Sequence, residues 1–84
     1  MSRHDKVLQR ILHGGADANI DFDDLCALLG SLGFVERTRG SHHVFVRPGV
    51  EELLNLQRDG SHAKPYQVRQ VRAVIVRYNL VAGS

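Results

Sequence analysis

Apolar residues in the first part of the chain recur at helical spacing. Val7, Leu8, Ile11 and Leu12 fall on one side of a segment from Asp5 to His13, and Gly14-Gly15 interrupts it. Residues 1–15 therefore read as a short accessory helix. After the polar connector Ala16 to Asn19, Asp21 stands where a helix cap is wanted, and Asp23 and Asp24 follow in a first turn whose dipole favours acidic groups. Leu25, Leu28, Leu29 and Leu32 then repeat at i, i+3, i+4 and i+7, and Gly33 is a natural stop.

From Phe34 the period shortens. Phe34 to Thr38 and Ser41 to Arg47 are runs rich in β-branched and aromatic residues, joined by Arg39-Gly40 and closed by Pro48-Gly49, a hairpin pattern. Glu51 to Gln57 supplies a third strand, with a helical turn at Glu51 to Leu54 as the alternative, and Arg58 to Ala63 reads as loop. Pro65 opens a last helix, in which Val68, Val71, Val74, Ile75 and Tyr78 form an apolar face. The expected architecture is α+β, in the order α-α-β-β-β-α: a three-stranded antiparallel sheet with helices on one face. The 84 residues make one domain, with its core over residues 21–80.

Composition adds little beyond exclusions. An apolar fraction of 43% and a charged fraction of 24% are those of a globular chain rather than a disordered or membrane one. No apolar run approaches the roughly 20 residues of a membrane span, and Met1 to Lys6 leads into no signal-peptide core, so a cytoplasmic protein without membrane association is expected. Cys26 is the single cysteine, which excludes an internal disulfide; its leucine-rich setting predicts a buried, inert thiol. The net charge of +2 is unevenly spread: residues 1–30 hold three basic against five acidic residues, residues 31–84 eight against four. The electropositive half, with Lys64, Arg69, Arg72 and Arg77, permits a polyanion partner but equally suits a solvated helix face.

Candidate chemistry concentrates in Arg37 to Phe45, where a basic turn delivers Ser41, His42 and His43 to the start of an alternating strand. Successive strand residues point to opposite faces, so His42 lies with Val44 and Val46, and His43 with Phe45. One imidazole faces the core or its rim and the other faces solvent. A solvent-facing imidazole exchanges protons at cellular pH, as phosphodiester chemistry requires; the plainer alternative is two ordinary strand residues, one of them hydrogen-bonded inside. A metal site is not expected, because adjacent strand histidines cannot chelate one ion and no carboxylate stands nearby at ligand spacing. Ser41 lacks a Gly-x-Ser-x-Gly elbow, and neither a phosphate loop nor a dinucleotide fingerprint occurs, so no small-molecule cofactor is expected.

The run from Phe22 to Phe45, a leucine-rich helix ending in Leu32-Gly33-Phe34 followed by a strand and Arg39-Gly40-Ser41-His42-His43-Val44-Phe45, resembles the HicA (YcfA-like) toxin family. Leu54 to Gln57, Gly60 to Lys64 and Tyr66 to Tyr78 resemble that family's third strand, basic loop and closing helix. The resemblance implies a double-stranded-RNA-binding-like fold and a metal-independent mRNA interferase neutralised by a HicB antitoxin. It implies that the functional histidine is His42, presented by Gly40 and Ser41, with His43 as a second candidate. Arg37, Arg39, Lys64, Arg69 and Arg72 become candidate RNA contacts. The additional N-terminal helix and His62-Ala63-Lys64-Pro65 depart from the commoner family pattern. A non-catalytic RNA-binding module of the same fold is the rival expectation.

Overall fold

The computed structural model describes residues 3–81. The outermost positions of the expected 1–84 domain and 1–15 helix segment, residues 1–2 and 82–84, lie outside the described residues. In chain order the elements are α1 (Arg3–His13), a 3-10 turn (Asp17–Asn19), α2 (Phe22–Ser31), β1 (Val35–Arg39), β2 (His42–Val46), β3 (Leu54–Leu56), β4 (Arg58–Asp59), β5 (His62–Ala63) and α3 (Pro65–Tyr78). The α+β order α-α-β-β-β-α is present, with a small β4–β5 hairpin inserted before the last helix.

The helices begin and end for local reasons. The Asp21 carboxylate accepts the Asp24 amide at 3.0 Å and caps α2. At the other end Gly33, with φ of 96°, turns the chain out of the helix, and Phe34 donates its amide to the Leu29 carbonyl. Arg47 Nε donates to the Leu32 carbonyl at 2.7 Å, which ties the far end of β2 to this terminus. Pro65 occupies the first turn of α3, and Asn79 ends it in the left-handed region.

β1, β2 and β3 form an antiparallel meander in that spatial order. The register sets Arg39 opposite His42, Arg37 opposite Val44 and Thr38 opposite His43, while Phe45 faces Leu54 on β3. Phe45, Leu54 and Leu56 are buried beneath α2 and α3, together with Phe22, Leu25, Leu28, Leu29, Val68 and Val71. Val7, Leu8 and Ile11 of α1 join the same core, so the accessory helix is packed into the domain rather than appended to it. β1 differs from its neighbours. Its inward positions are Glu36 and Thr38, not apolar residues, and the whole strand is exposed. The core therefore stops short of β1, leaving an opening along the inner side of the β1–β2 turn.

Two expectations need correction. Arg58 to Ala63 is not loop but a two-stranded hairpin, docked on the entry into α2 through Ala63 N–H to the Ile20 carbonyl and Phe22 N–H to the Ser61 carbonyl, both 2.9 Å. The third strand covers only Leu54–Leu56, because Glu52 is drawn to the end of α3: its carboxylate accepts the Tyr78 hydroxyl at 2.6 Å and pairs with Arg77 at 3.1 Å. No helix among the described residues is long and apolar enough to cross a membrane.

Candidate active site

Both hairpins turn on the same chemistry. Gly40-Ser41 and Gly60-Ser61 are two-residue turns in which only the glycine has positive φ, 59° and 62°, the pattern of a type II′ turn. Each delivers a histidine as the first residue of the next strand. The recurrence of Gly-Ser-His thus reflects a shared turn, and only the first turn sits beside the sheet opening.

That opening is a cavity of about 500 Å³ lined by Gly40, Ser41, His43, Gln57, Arg58 and Lys64. The alternation of β2 sends His43 to the inner face with Phe45, and His42 to the outer face with Arg39 and Arg37. His42 is exposed there, with Nδ1 3.2 Å from Asn55 Oδ1 and Nε2 3.4 Å from the Gln57 amide nitrogen. His43 is held more firmly. Its side chain is 20% exposed, its ring meets Phe22 edge-on at 4.9 Å, and Nδ1 lies 2.6 Å from Glu36 Oε2.

The hydrogen bond from His43 holds the Glu36 carboxyl below the ordinary glutamate range, against some burial, and the Thr38 hydroxyl donates to the same oxygen at 2.9 Å. An ionised carboxylate can only accept. His43 Nδ1 must therefore carry the proton it donates, and in the neutral ring Nε2 holds the lone pair. This is the arrangement of a general base whose tautomer is fixed by a carboxylate.

Two cations border the same cavity. Arg58 donates to Asp23 at 2.6 Å and lies 4.7 Å from the centre of the Phe22 ring, so it reaches the rim as a braced, planar charge. Lys64 is half-buried at the start of α3. The docked β4–β5 hairpin brings both to His43. Gln67, buried on α3, accepts the Gln57 backbone N–H at 3.3 Å through its side-chain oxygen, which ties the end of β3 to the last helix.

Of the candidate residues read from the sequence, the cavity gathers His43, Gly40, Ser41 and Lys64 and leaves out the others. His42, Arg37 and Arg39 share the exposed outer face of the sheet. Arg69 is exposed on α3, whereas Arg72 turns inward: its guanidinium makes two 2.9 Å bonds to the Asp17 carboxylate and a third to the Ile11 carbonyl. Glu36, Gln57 and Arg58 were not foreseen. A period-of-two reading carried on from Phe34 puts Glu36 and Thr38 on the inward face, and a carboxylate there was the available signal; Gln57 and Arg58 depend on a hairpin too short to show alternation.

Cys26 also departs from expectation. It is partly exposed rather than sealed in the core, and burial, aided by Glu36, Asp23 and Asp21, pushes its thiol up to about 12. Its sulfur, a Glu36 carboxylate oxygen and a His43 ring nitrogen all lie within 4.8 Å of one another. The expectation that no carboxylate stands near a histidine at ligand spacing fails here, because strand pairing, not sequence distance, brings Glu36 to His43.

Searches of curated proteins and of solved structures return no match. A family model described as HicA toxin of bacterial toxin-antitoxin matches residues 22–75, from the first residue of α2 through most of α3. With well over half of its length matched, including every element that frames the cavity, the chain belongs to the HicA toxin family of bacterial toxin-antitoxin systems.

Proposed function

We propose that this protein is an endoribonuclease toxin that cuts mRNA, with His43 as its acid-base group. The observation that carries the reading is that His43 lines a cavity bordered by Arg58 and Lys64, while Glu36 fixes its tautomer. Single-stranded RNA reaches the cavity over the Gly40-Ser41 turn. His43 Nε2 takes the proton from a ribose 2′-hydroxyl; the 2′-oxygen bonds to the adjacent phosphorus and the bond to the 5′-oxygen breaks. The proton then passes from His43 to the departing 5′-oxygen. A 2′,3′-cyclic phosphate and a 5′-hydroxyl end result. Acid-base help of this kind is worth about 10²- to 10⁴-fold. Arg58 and Lys64 offset the charge gathering on the phosphate oxygens, and the chemistry requires no bound metal. Gly40 and Ser41 admit the backbone to the site, and Arg37, Arg39 and Arg69 hold flanking phosphates from outside it.

Family membership implies an antitoxin partner, and in this reading a HicB-like protein silences the toxin in the cytoplasm by covering the cavity mouth. The reaction needs a 2′-hydroxyl, so in EDTA the purified protein cuts a long unstructured RNA to fragments with cyclic phosphate ends and leaves DNA of the same sequence intact. Retention of RNA at low salt without any cleavage would favour the non-catalytic binding module instead.

A further inference from the structure

The catalytic proposal uses Glu36 and His43 but leaves Cys26, which stands against both, without a role. Cys26 on α2, Glu36 on β1 and His43 on β2 come from three different elements, yet their sulfur, oxygen and nitrogen donors converge within 4.8 Å. We propose that these three side chains form an inhibitory zinc site, in which the ion takes His43 Nδ1 out of its bond with Glu36 and thereby stops cleavage.

Thiolate, imidazole and carboxylate together suit zinc rather than magnesium or calcium, which prefer oxygen alone. Bond lengths of about 2.0 to 2.3 Å put tetrahedral zinc donors about 3.3 to 3.6 Å apart, so the cluster must tighten by roughly 1 Å. Glu36 supplies its share of that movement, since its side chain is 37% exposed on the edge strand of the sheet, and the partly exposed Cys26 side chain supplies the rest. His43 and Glu36 now meet at 2.6 Å, and zinc enters between them. Three protein ligands leave a fourth position for water, on the side where His43 borders the cavity.

The consequence for catalysis follows from proton placement. On coordination the Cys26 thiol proton leaves to solvent, and the imidazole proton moves from Nδ1 to Nε2 as zinc takes the Nδ1 lone pair. Nε2 then carries a proton and cannot accept one from a ribose hydroxyl. Metal capture stands on the geometry alone; its inhibitory effect rests on the nuclease reading.

Two measurements separate these. The metal-stripped full chain is titrated with Co²⁺ and the near-ultraviolet thiolate-to-cobalt absorption is followed, with Zn²⁺ added to compete. One equivalent should produce the band in the wild type and none in Cys26→Ser or Cys26→Ala. RNA cleavage is then assayed with and without one equivalent of Zn²⁺. The wild type should lose activity and regain it in EDTA. Cys26→Ser, outside the acid-base machinery, should cleave at the wild-type rate but need at least about tenfold more zinc for the same inhibition. Absence of the thiolate band in the wild type overturns the site, as does equal inhibition of wild type and Cys26→Ser, or stimulation by zinc. If RNA is never cut, a band that vanishes with Cys26 still upholds the metal site, and the nuclease reading alone falls.

Discussion

Glu36 is the side chain on which the behaviour of His43 depends. Its folded carboxyl stays below the ordinary glutamate range because His43 and Thr38 both donate to it, so it is ionised across neutral pH and protonates only in acid. Glu36→Gln keeps the shape but removes the charge that stabilises an imidazolium and fixes the proton on Nδ1. The cleavage rate should fall by on the order of 10²-fold with RNA affinity nearly unchanged, less than for a fully buried dyad because solvent reaches this carboxylate. Single-turnover kinetics check this: an equal fall in affinity and rate, or none in either, would show that Glu36 does not act through His43. That the two adjacent histidines point to opposite faces of the sheet was legible from sequence. Which imidazole borders the cavity was not, because that depends on which face of β2 carries the opening, and the residues that complete it, Gln57, Arg58 and Lys64, arrive with the β4–β5 hairpin.

Elements are joined by a few polar clamps. The strongest ties the 3-10 turn and the end of α1 to α3: Asp17 and Arg72 form a two-pronged ion pair at 2.9 Å, and Arg72 also reaches the Ile11 carbonyl. The hydrogen bonds from Arg72 hold the Asp17 carboxyl below its ordinary value of 3.8. A depressed folded value means that the pair stabilises the fold above the unfolded value and that this contribution is lost as pH falls through the folded one. Asp17→Asn should cost about 2 kcal/mol at pH 7, with the difference from wild type narrowing as pH drops below 3.8. Urea unfolding at several pH values measures it, and a gap that widens in acid would contradict the clamp. The long helices were legible because an apolar stripe repeats over several turns and a cap residue marks the start. β4 and β5, two residues each, carry no period at all, and β3 is cut short by the Glu52 contacts with Arg77 and Tyr78, which lie distant in sequence.

Across the whole molecule the charge division seen along the chain has two outcomes. Part of it is consumed in folding: Arg72 and Arg58 of the basic half pair with Asp17 and Asp23 of the acidic half. Of the remainder, Arg37 and Arg39 lie on the outer sheet face and Lys64 borders the cavity. A count of charges could not separate these uses, since Arg69 and Arg72 stand three residues apart on α3 and only one is turned inward. The order of elements and the family were legible, because both rest on the succession of helix, hairpin and helix rather than on any single contact. The decisive comparison is cleavage of one long RNA in EDTA by wild type, His43→Ala and His42→Ala, each first verified as folded by circular dichroism. His42→Ala should cut at close to the wild-type rate while His43→Ala loses at least about 10²-fold; loss of activity in His42→Ala with His43→Ala still active would mean that the reaction occurs on the opposite face of the sheet.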